Sequence, residues 1–327
     1  MHQLFRRSTL MAALAPFGFP AAALAQTAEP PLAAETQGRI EFRSGPPGAE
    51  NAPIWGYLAL PPGGARVPAM VLMHGSSGLN AGSRVHYSEL LNRYGIAAFY
   101  VDSFTGRGVS STVRDQAVLS YADNTRDAFV ALRLLRRHPR IDPAKIGVMG
   151  FSRGGTVSWA SALNEAYAQF RREGLRFALH VPYYPGCNFG PASTTTGAPM
   201  LFLLGGADNW VRAEHCVDFI HYLQRSNPRI EYKIYPGAHH AWDAPAADGR
   251  LIPIPGAQNV TGCDTVLTNA DGSGLDPKTG RRMSKAERDA ALRACRKSST
   301  VNVQANRAIR AASDGDLIAF LLRHFGI

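Results

Sequence analysis

Acidic residues are scarce in this sequence relative to basic ones. Its 327 residues include 25 Asp and Glu but 35 Lys and Arg, so the formal net charge is +10. A positive balance can indicate nucleic-acid binding, which also calls for a basic stripe interleaved with aromatic side chains. Such a stripe is missing, because the arginines are scattered and only Arg133, Arg136 and Arg137 lie close together. We therefore expect a mildly basic, solvated surface and no nucleic-acid partner.

A clean apolar run long enough to cross a membrane is also missing. The run near the N-terminus, Leu10 to Leu24, is interrupted by two prolines and a glycine and is shorter than the roughly 20 apolar residues of a membrane span. Two arginines precede it at positions 6 and 7, and residues 23–25, Ala-Leu-Ala, have the small-x-small form of a cleavage site. These features predict a signal peptide over residues 1–25 and a periplasmic or secreted protein without stable membrane insertion. General secretory and twin-arginine export both fit, and an uncleaved membrane anchor is the alternative.

Cysteine is rare, with four residues in the chain. No two of them have the C-x-x-C spacing that zinc sites favour, so we expect no metal site. In an oxidising compartment an even number predicts two disulfides, for which three pairings exist. We favour Cys187 with Cys216 and Cys263 with Cys295, because each bridge would tie together one local region. Four free thiols are the alternative.

What the sequence does contain is a regular alternation of strand and helix patterns. Two short strand patterns at residues 39–42 and 54–60 come first. Continuous apolar runs, typical of parallel strands covered on both faces, follow at Ala69–Met73, Ala97–Val101, Ile146–Met149, Ala178–Val181 and Met200–Leu204. Segments of helical length lie at Arg84–Tyr94, Val113–Arg137, Gly154–Ala168, Val211–Arg225 and Asp314–His324. The alternation predicts an α/β fold with a mostly parallel, doubly wound sheet and helices on both faces.

The domain organisation follows from the same pattern. We expect a leader over residues 26–36 and a single domain over residues 37–327, with an insertion at about 243–301. The insertion is far longer than an ordinary loop, so it needs structure of its own. Ser284 and Glu287 have the spacing of a capping box, which predicts a helix over Arg288–Arg296.

One motif indicates a nucleophile. Residues 150–154 read Gly-Phe-Ser-Arg-Gly, which is the G-x-S-x-G form of a nucleophile elbow. A buried-strand pattern directly precedes it and a helix pattern follows, as the elbow requires. The sharp turn exposes the serine oxygen above the sheet, and glycines flank it because side chains there would collide. Ser152 is therefore the predicted nucleophile.

A serine hydroxyl becomes a useful nucleophile when a histidine takes its proton and a carboxylate orients that histidine. Asp208 follows the apolar run at 201–204, and His240 follows a strand pattern at 231–235 and a turn. The order Ser, Asp, His is the order of the α/β-hydrolase fold. Ser152, Asp208 and His240 are the predicted catalytic residues, and the neighbouring His239 is an open alternative for the base.

The oxyanion of the tetrahedral intermediate needs two hydrogen-bond donors. The backbone N–H after the nucleophile, that of Arg153, is the first candidate. The second comes from the loop after the strand at 69–73, where we favour Ser76; a plain tight turn is the alternative for this loop.

Taken together, these elements resemble the dienelactone hydrolase family over roughly residues 40–243 and the last helix. The resemblance depends on residues 76–80, 101–104, 150–155, Asp208 and residues 235–242. In that family a small residue and an aromatic follow the base, which favours His240, followed by Ala241 and Trp242, over His239. The namesake enzymes use a cysteine nucleophile and have a glutamate where Gly75 stands. The resemblance therefore implies a serine esterase or lactonase and puts dienelactone itself in doubt as a substrate.

The family also binds the carboxylate of its substrate through arginines. This makes Arg107 a candidate substrate-binding residue, with a surface arginine as the alternative, and Trp242 is a second candidate. We expect an exported carboxylesterase or lactonase that cleaves small-molecule esters or lactones through an acyl-enzyme, without a cofactor. A peptidase or polyester hydrolase of the same fold, and a non-catalytic binding protein, are the alternatives, because a triad does not specify the bond that is cleaved.

Overall fold

A central mixed sheet carries the loops in which Ser152, Asp208 and His240 lie. The computed structural model describes residues 32–46, 48–245 and 249–327, so the predicted signal peptide and most of the leader lie outside the described residues. The strands are β1 (Gly38–Ser44), β2 (Ala52–Ala59), β3 (Val67–Met73), β4 (Ala97–Asp102), β5 (Ile141–Phe151), β6 (His180–Tyr183), β7 (Phe189–Pro191), β8 (Met200–Gly205), β9 (Ile230–Tyr235), β10 (Leu251–Asn259), β11 (Val266–Thr268), β12 (Gly274–Leu275), β13 (Arg282–Met283) and β14 (Lys297–Gln304). The α-helices are α1 (Ala81–Arg93), α2 (Tyr121–Leu135), α3 (Arg153–Ala160), α4 (Asn164–Ala168), α5 (Ala213–Gln224), α6 (Lys285–Cys295) and α7 (Arg307–Phe325).

Eight strands form this sheet in the order β1-β2-β4-β3-β5-β6-β8-β9. The pairs β1/β2 and β2/β4 are antiparallel, and all pairs from β4 to β9 are parallel. Helices cover both faces, because the parallel strands are apolar on both sides. Side chains of α1 and α7 pack on one face, and those of α2 pack on the other. The predicted α/β fold is confirmed, and it is that of an α/β-hydrolase.

Three predicted helices have clearly different limits in the structure. The last, predicted over Asp314–His324, begins at Arg307, because the side chain of Asn306 caps it by accepting a hydrogen bond from the N–H of Ile309. The segment predicted as a helix from Val113 is irregular until Ser120, whose hydroxyl accepts a hydrogen bond from the backbone N–H of Asp123 and starts α2 there. The segment predicted over Gly154–Ala168 is divided into α3 and α4. The division has a local cause: Leu163 forms an isolated β-bridge with Thr195, so the chain leaves the helical path between the two helices.

The insertion forms two small sheets and a helix. Strands β10 and β14 pair as an antiparallel ribbon, and β13, β12 and β11 extend a sheet that starts at β7. Helix α6 begins at the predicted capping box, in which Ser284 and Glu287 satisfy each other's backbone N–H groups. No helix among the described residues is long and apolar enough to cross a membrane.

Both predicted disulfides are present. Cys187 is bonded to Cys216, which attaches α5 to the segment after β6. Cys263 is bonded to Cys295, which attaches the end of α6 to the turn after β10.

Candidate active site

Ser152 lies at the turn between β5 and α3. Its φ of 53° and ψ of −111° fall in a backbone region that residues other than glycine rarely adopt. The flanking residues must be glycines for steric reasons. A β-carbon at Gly154 would lie 2.0 Å from the carbonyl oxygen of Met73, and one at Gly150 would lie 2.3 Å from the carbonyl oxygen of Gly154. The turn therefore has the geometry of a nucleophile elbow.

The structure brings Ser152, His240 and Asp208 together at the carboxyl ends of β5, β8 and β9. The Ser152 Oγ lies 2.9 Å from His240 Nε2, and His240 Nδ1 lies 2.7 Å from Asp208 Oδ2. In this arrangement Nδ1–H donates to the carboxylate and Nε2 is free to accept the serine proton. The competing His239 does not occupy this position: its Nδ1 is buried and has no hydrogen-bond partner among the described residues.

Backbone donors hold the carboxylate of Asp208 in place. Its Oδ1 accepts hydrogen bonds from the N–H groups of Trp210 and Val211, at 2.8 and 3.0 Å. This leaves Oδ2 for His240. Because the side chains of Asp208 and His240 are almost fully buried, little water competes for their hydrogen bond.

Two aromatic rings enclose the imidazole of His240. Tyr184 packs edge-on against it at a centroid distance of 4.7 Å, and Trp210 lies at 4.8 Å. The Tyr184 hydroxyl donates in turn to the buried carboxyl of Asp243, which also accepts a hydrogen bond from Tyr87. Burial raises the pKa of Asp243, although the two hydroxyls oppose this effect by stabilising its carboxylate. The ring of His240 is thus held by packing as well as by its hydrogen bonds.

The two predicted oxyanion residues lie beside Ser152. The N–H of Arg153 is at the first position of α3, where a helix has no internal acceptor for it. The loop after β3 reaches the same place, since a β-carbon at Gly75 would lie 3.6 Å from the β-carbon of Ser152. Ser76 is buried and lines the same cavity as Ser152 and Arg153.

Ser152 opens into a cleft of about 620 Å³, within the range of small-molecule sites. Apolar and aromatic side chains dominate its walls, among them Tyr121, Trp159, Phe170, Phe189 and Trp210. One part of the wall belongs to the insertion, through Gln258, Asn259, Val260, Leu292 and Arg296. Among the described residues, no group of three or more His, Cys, Asp or Glu could hold a metal ion.

The ribbon formed by β10 and β14 also supports the loops that hold His240 and Asp208. Gln304 of β14 donates its N–H to the carbonyl of His240 at 3.0 Å. The N–H of Asn302 donates to the side chain of Asn209, and the indole of Trp210 donates to the carbonyl of Gln258 at 3.1 Å. The ribbon therefore contacts His240 itself and the two residues that follow Asp208.

The model of the dienelactone hydrolase family matches residues 54–259, which include the elbow, Asp208 and His240. The chain belongs to the dienelactone hydrolase family.

Among its relatives in Bradyrhizobium is a protein named "Probable 2-oxo-3-(5-oxofuran-2-ylidene)propanoate lactonase". It is 26% identical over 217 residues, which cover 63% of this chain and 86% of the relative. The apo form of Thermogutta terrifontis esterase 2 shares the fold with a TM-score of 0.50 and 21% identity, over 63% of this chain and 85% of that one. The same esterase phosphorylated by paraoxon also has a TM-score of 0.50, at 18% identity over 65% and 87% of the chains.

Two residues predicted to bind substrate from the likeness to the dienelactone hydrolase family do not reach the cleft. The guanidinium of Arg107 forms a bidentate ion pair with the buried Asp127 and donates to the carbonyl of Ser103. Trp242 is fully buried, packs on Tyr184, and donates its indole N–H to Ser313. The structure corrects both predictions: Arg107 is engaged with Asp127, and Trp242 packs against Tyr184.

The sequence did not indicate three residues that surround the site. Gln116 lies in the segment predicted as a helix from Val113, and a helix prediction gives no indication that this residue lies in the cleft wall. Tyr184 follows β6 without any motif. Trp210 comes two residues after Asp208, and this proximity is the one signal that could have identified it.

Proposed function

We propose that this member of the dienelactone hydrolase family hydrolyses carboxylic esters or lactones through an acyl-enzyme formed on Ser152. The observation that supports this most directly is the hydrogen-bonded chain from Ser152 through His240 to Asp208, open to an apolar cleft. The related protein in Bradyrhizobium, named as a lactonase, makes lactones a natural first class to test beside simple esters.

In this mechanism Ser152 Oγ attacks the carbonyl carbon while His240 Nε2 takes its proton. The carbonyl oxygen becomes an oxyanion, which the N–H groups of Ser76 and Arg153 stabilise. His240 then protonates the leaving alkoxide, which in a lactone stays attached to the acyl group. Water, deprotonated by His240, cleaves the acyl-enzyme and releases the acid.

The size and the apolar walls of the cleft favour substrates with a bulky apolar or aromatic part. A volume of about 620 Å³ walled by aromatic side chains is larger than an acetyl group needs, and binding energy in such a cleft comes from apolar surface. We also propose that the protein acts after export, which the two disulfides support, because such bonds persist in oxidising compartments.

The test is substitution of the nucleophile. Ser152→Ala should lower kcat/KM for 4-nitrophenyl butyrate on the order of 10⁴-fold or more, because the acyl-enzyme cannot form. The exposed Ser226, whose hydroxyl contacts the carbonyl of Leu223, provides the matched control, and Ser226→Ala should retain full activity. Mass spectrometry should find a fluorophosphonate probe on Ser152. Undiminished turnover by Ser152→Ala would refute the mechanism.

A further inference from the structure

The side chain of Gln116 joins the two residues proposed to form the oxyanion hole. Its Oε1 accepts a hydrogen bond from Arg153 Nη1 at 2.9 Å. The amide also exchanges hydrogen bonds with Ser76 Oγ, at 3.2 Å through Oε1 and 3.1 Å through Nε2. The backbone N–H groups of Ser76 and Arg153 come from different segments, one after β3 and one at the start of α3. Gln116 thus connects the two segments by direct side-chain contacts.

The guanidinium of Arg153 is a buried cation surrounded by neutral acceptors. Arg153 is 2% exposed, and its side chain donates to the Asn124 side chain, to the Leu119 carbonyl, and to both the side-chain and backbone oxygens of Gln116. No carboxylate pairs with it among the described residues, since the nearby Asp123 pairs with Arg126. An unpaired buried charge destabilises the folded protein unless other groups hold it, and here the neutral acceptors are joined by the ring of Tyr121, whose centroid lies 4.2 Å from the guanidinium carbon.

The insertion holds Gln116 from the other side. Gln258 of β10 accepts a hydrogen bond from the N–H of Gln116 at 2.7 Å through its side chain, and its own N–H donates to the carbonyl of Val113 at 2.9 Å. The carbonyl of Gln258 accepts from the indole of Trp210, the residue that packs on His240. Gln258 therefore contacts both the loop that contains Gln116 and the aromatic residue that packs on His240.

We propose that Gln116 is a positioning residue of the oxyanion hole and that Gln258 of the insertion holds it in place. Gln116 fixes the distance between the loop after β3 and the start of α3. It thereby sets the direction in which the backbone N–H groups of Ser76 and Arg153 point. It also holds the side chain of Arg153 in place through the two hydrogen bonds from Nη1. This role rests on the proposed function, because the oxyanion exists only if Ser152 attacks a carbonyl.

The expected kinetic signature is a loss in kcat without a matching rise in KM. The oxyanion forms in the transition state and not in the bound substrate, so misplaced donors weaken only the former. Removal of a direct donor typically costs about 10²- to 10³-fold. A positioning residue that leaves both donors present should cost less, about 10- to 100-fold.

Three substitutions at Gln116 separate hydrogen bonding from packing. Gln116→Ala removes the amide, Gln116→Met fills the same space without an acceptor, and Gln116→Glu keeps an acceptor for Arg153 and Ser76. With 4-nitrophenyl butyrate, we expect low kcat and a KM within about twofold of wild type for the Ala and Met variants. The Glu variant should recover part of the loss. Gln258→Ala should show the same signature more weakly.

The control is Gln224→Ala, which removes a glutamine whose side chain donates to the Ile230 carbonyl far from the cleft. Its kcat should equal that of wild type. A boronic acid provides a second readout, because it forms a tetrahedral adduct on Ser152 that resembles the intermediate. Its inhibition constant should rise across the series by the same factor as kcat/KM falls.

The outcomes separate this role from the proposed function. If wild type does not hydrolyse esters, or Ser152→Ala retains activity, the proposed function fails and this role fails with it. If hydrolysis depends on Ser152 but kcat is unchanged in the Ala and Met variants, only the role of Gln116 is wrong. A loss confined to KM, or equal kcat in the Met and Glu variants, would also overturn it. A variant that does not fold is replaced by Gln258→Ala, whose unchanged kcat and boronate affinity would count against the proposal.

Discussion

His180 is a histidine buried in the centre of the sheet, between β5 and β8. Its side chain is fully buried, and its Nδ1 lies 2.8 Å from the carbonyl oxygen of Ser158, to which it donates. Its Nε2 has no partner among the described residues. Burial lowers the pKa of His180 to about 4. The residue is therefore neutral in the folded protein at physiological pH.

This neutral histidine makes stability depend on pH. In the unfolded chain the pKa of His180 returns to about 6.5, so on acidification that chain binds a proton before the folded protein does. The neutral form of His180 therefore contributes to the free energy of unfolding in full above pH 6.5, and this contribution is lost as the pH falls towards 4. Between pH 7.5 and pH 5 we expect a loss of about 2 kcal/mol in the free energy of unfolding.

His180→Asn tests this, because asparagine does not titrate and keeps a donor for the Ser158 carbonyl. Urea unfolding of wild type and variant at both pH values measures the difference. The variant should lose about 2 kcal/mol less than wild type on acidification. Equal losses would show that His180 is not the titrating group.

At the residue scale, the sequence could predict what depends on order and local motif. Ser152 follows from its elbow, Asp208 and His240 from their order and strand-end positions, and the cysteine pairs from locality. Gln116 could not be predicted in this way, because its partners Ser76 and Arg153 are about forty residues away on either side. Arg107 failed as a prediction because a buried partner, Asp127, binds its guanidinium.

Helix α6 forms an outer part of the cleft wall with little packing of its own. None of its residues is buried, yet Leu292 lines the cleft, as does Arg296 just after the helix. The bond between Cys263 and Cys295 attaches its end to the turn after β10, across a separation of 32 residues. The disulfide thus compensates for missing core contacts.

Removal of this bond should alter selectivity. In Cys263→Ser/Cys295→Ser, KM for a bulky ester such as 4-nitrophenyl benzoate should rise several-fold, while KM for 4-nitrophenyl acetate should stay near the wild-type value. Loop-closure entropy predicts a loss of about 4 kcal/mol in the free energy of unfolding. Steady-state kinetics and urea unfolding measure the two effects.

Cys187→Ser/Cys216→Ser is the comparison, since that bond closes a loop of similar length, 29 residues, but attaches α5 instead of α6. It should lose stability without the same preference for small esters. Equal selectivity changes in both double variants would contradict the role of α6.

Among the elements, the buried parallel strands were predictable because both of their faces are apolar. The start of α2 and the break before α4 were not, since a cap at Ser120 and a bridge from Leu163 to Thr195 override the helical pattern. Strand β10 gave little signal, because it contains two prolines and most of its residues are exposed.

At the scale of the whole molecule, the insertion consists of two parts with different roles. The β10–β14 ribbon forms hydrogen bonds with the loops that carry His240 and Asp208. The tip, residues 260–296, adds part of the cleft wall through Val260, Leu292 and Arg296. The sequence predicted an insertion with a helix but not its position, because nothing local in residues 243–301 specifies which surface they cover.

Replacement of the tip should separate the two roles. Residues Asn259 and Lys297 pair across the ribbon, so an Asn-Gly turn in place of residues 260–296 would close it as a hairpin. This variant should keep kcat for 4-nitrophenyl acetate on the order of the wild-type value and lose its preference for bulky esters. Steady-state kinetics on acetate and benzoate measures both.

Deletion of the ribbon as well, residues 251–304, should lower kcat for 4-nitrophenyl acetate by about 10²-fold, because small displacements of His240, the proposed base, would have effects of this size. Circular dichroism confirms that each variant is folded. If the tip replacement lowers kcat as much as the larger deletion does, the ribbon has no separate role in supporting the loops that carry His240 and Asp208.

The order of the cysteines along the chain has a consequence for biogenesis. Each disulfide joins one cysteine to the next in sequence, Cys187 to Cys216 and then Cys263 to Cys295. A chain that is oxidised as it emerges, from its N-terminus onward, forms the native pairs in order of appearance. It needs an oxidant but no isomerase to correct its bonds, so a host with thiol oxidase activity alone should yield the protein with both native bonds.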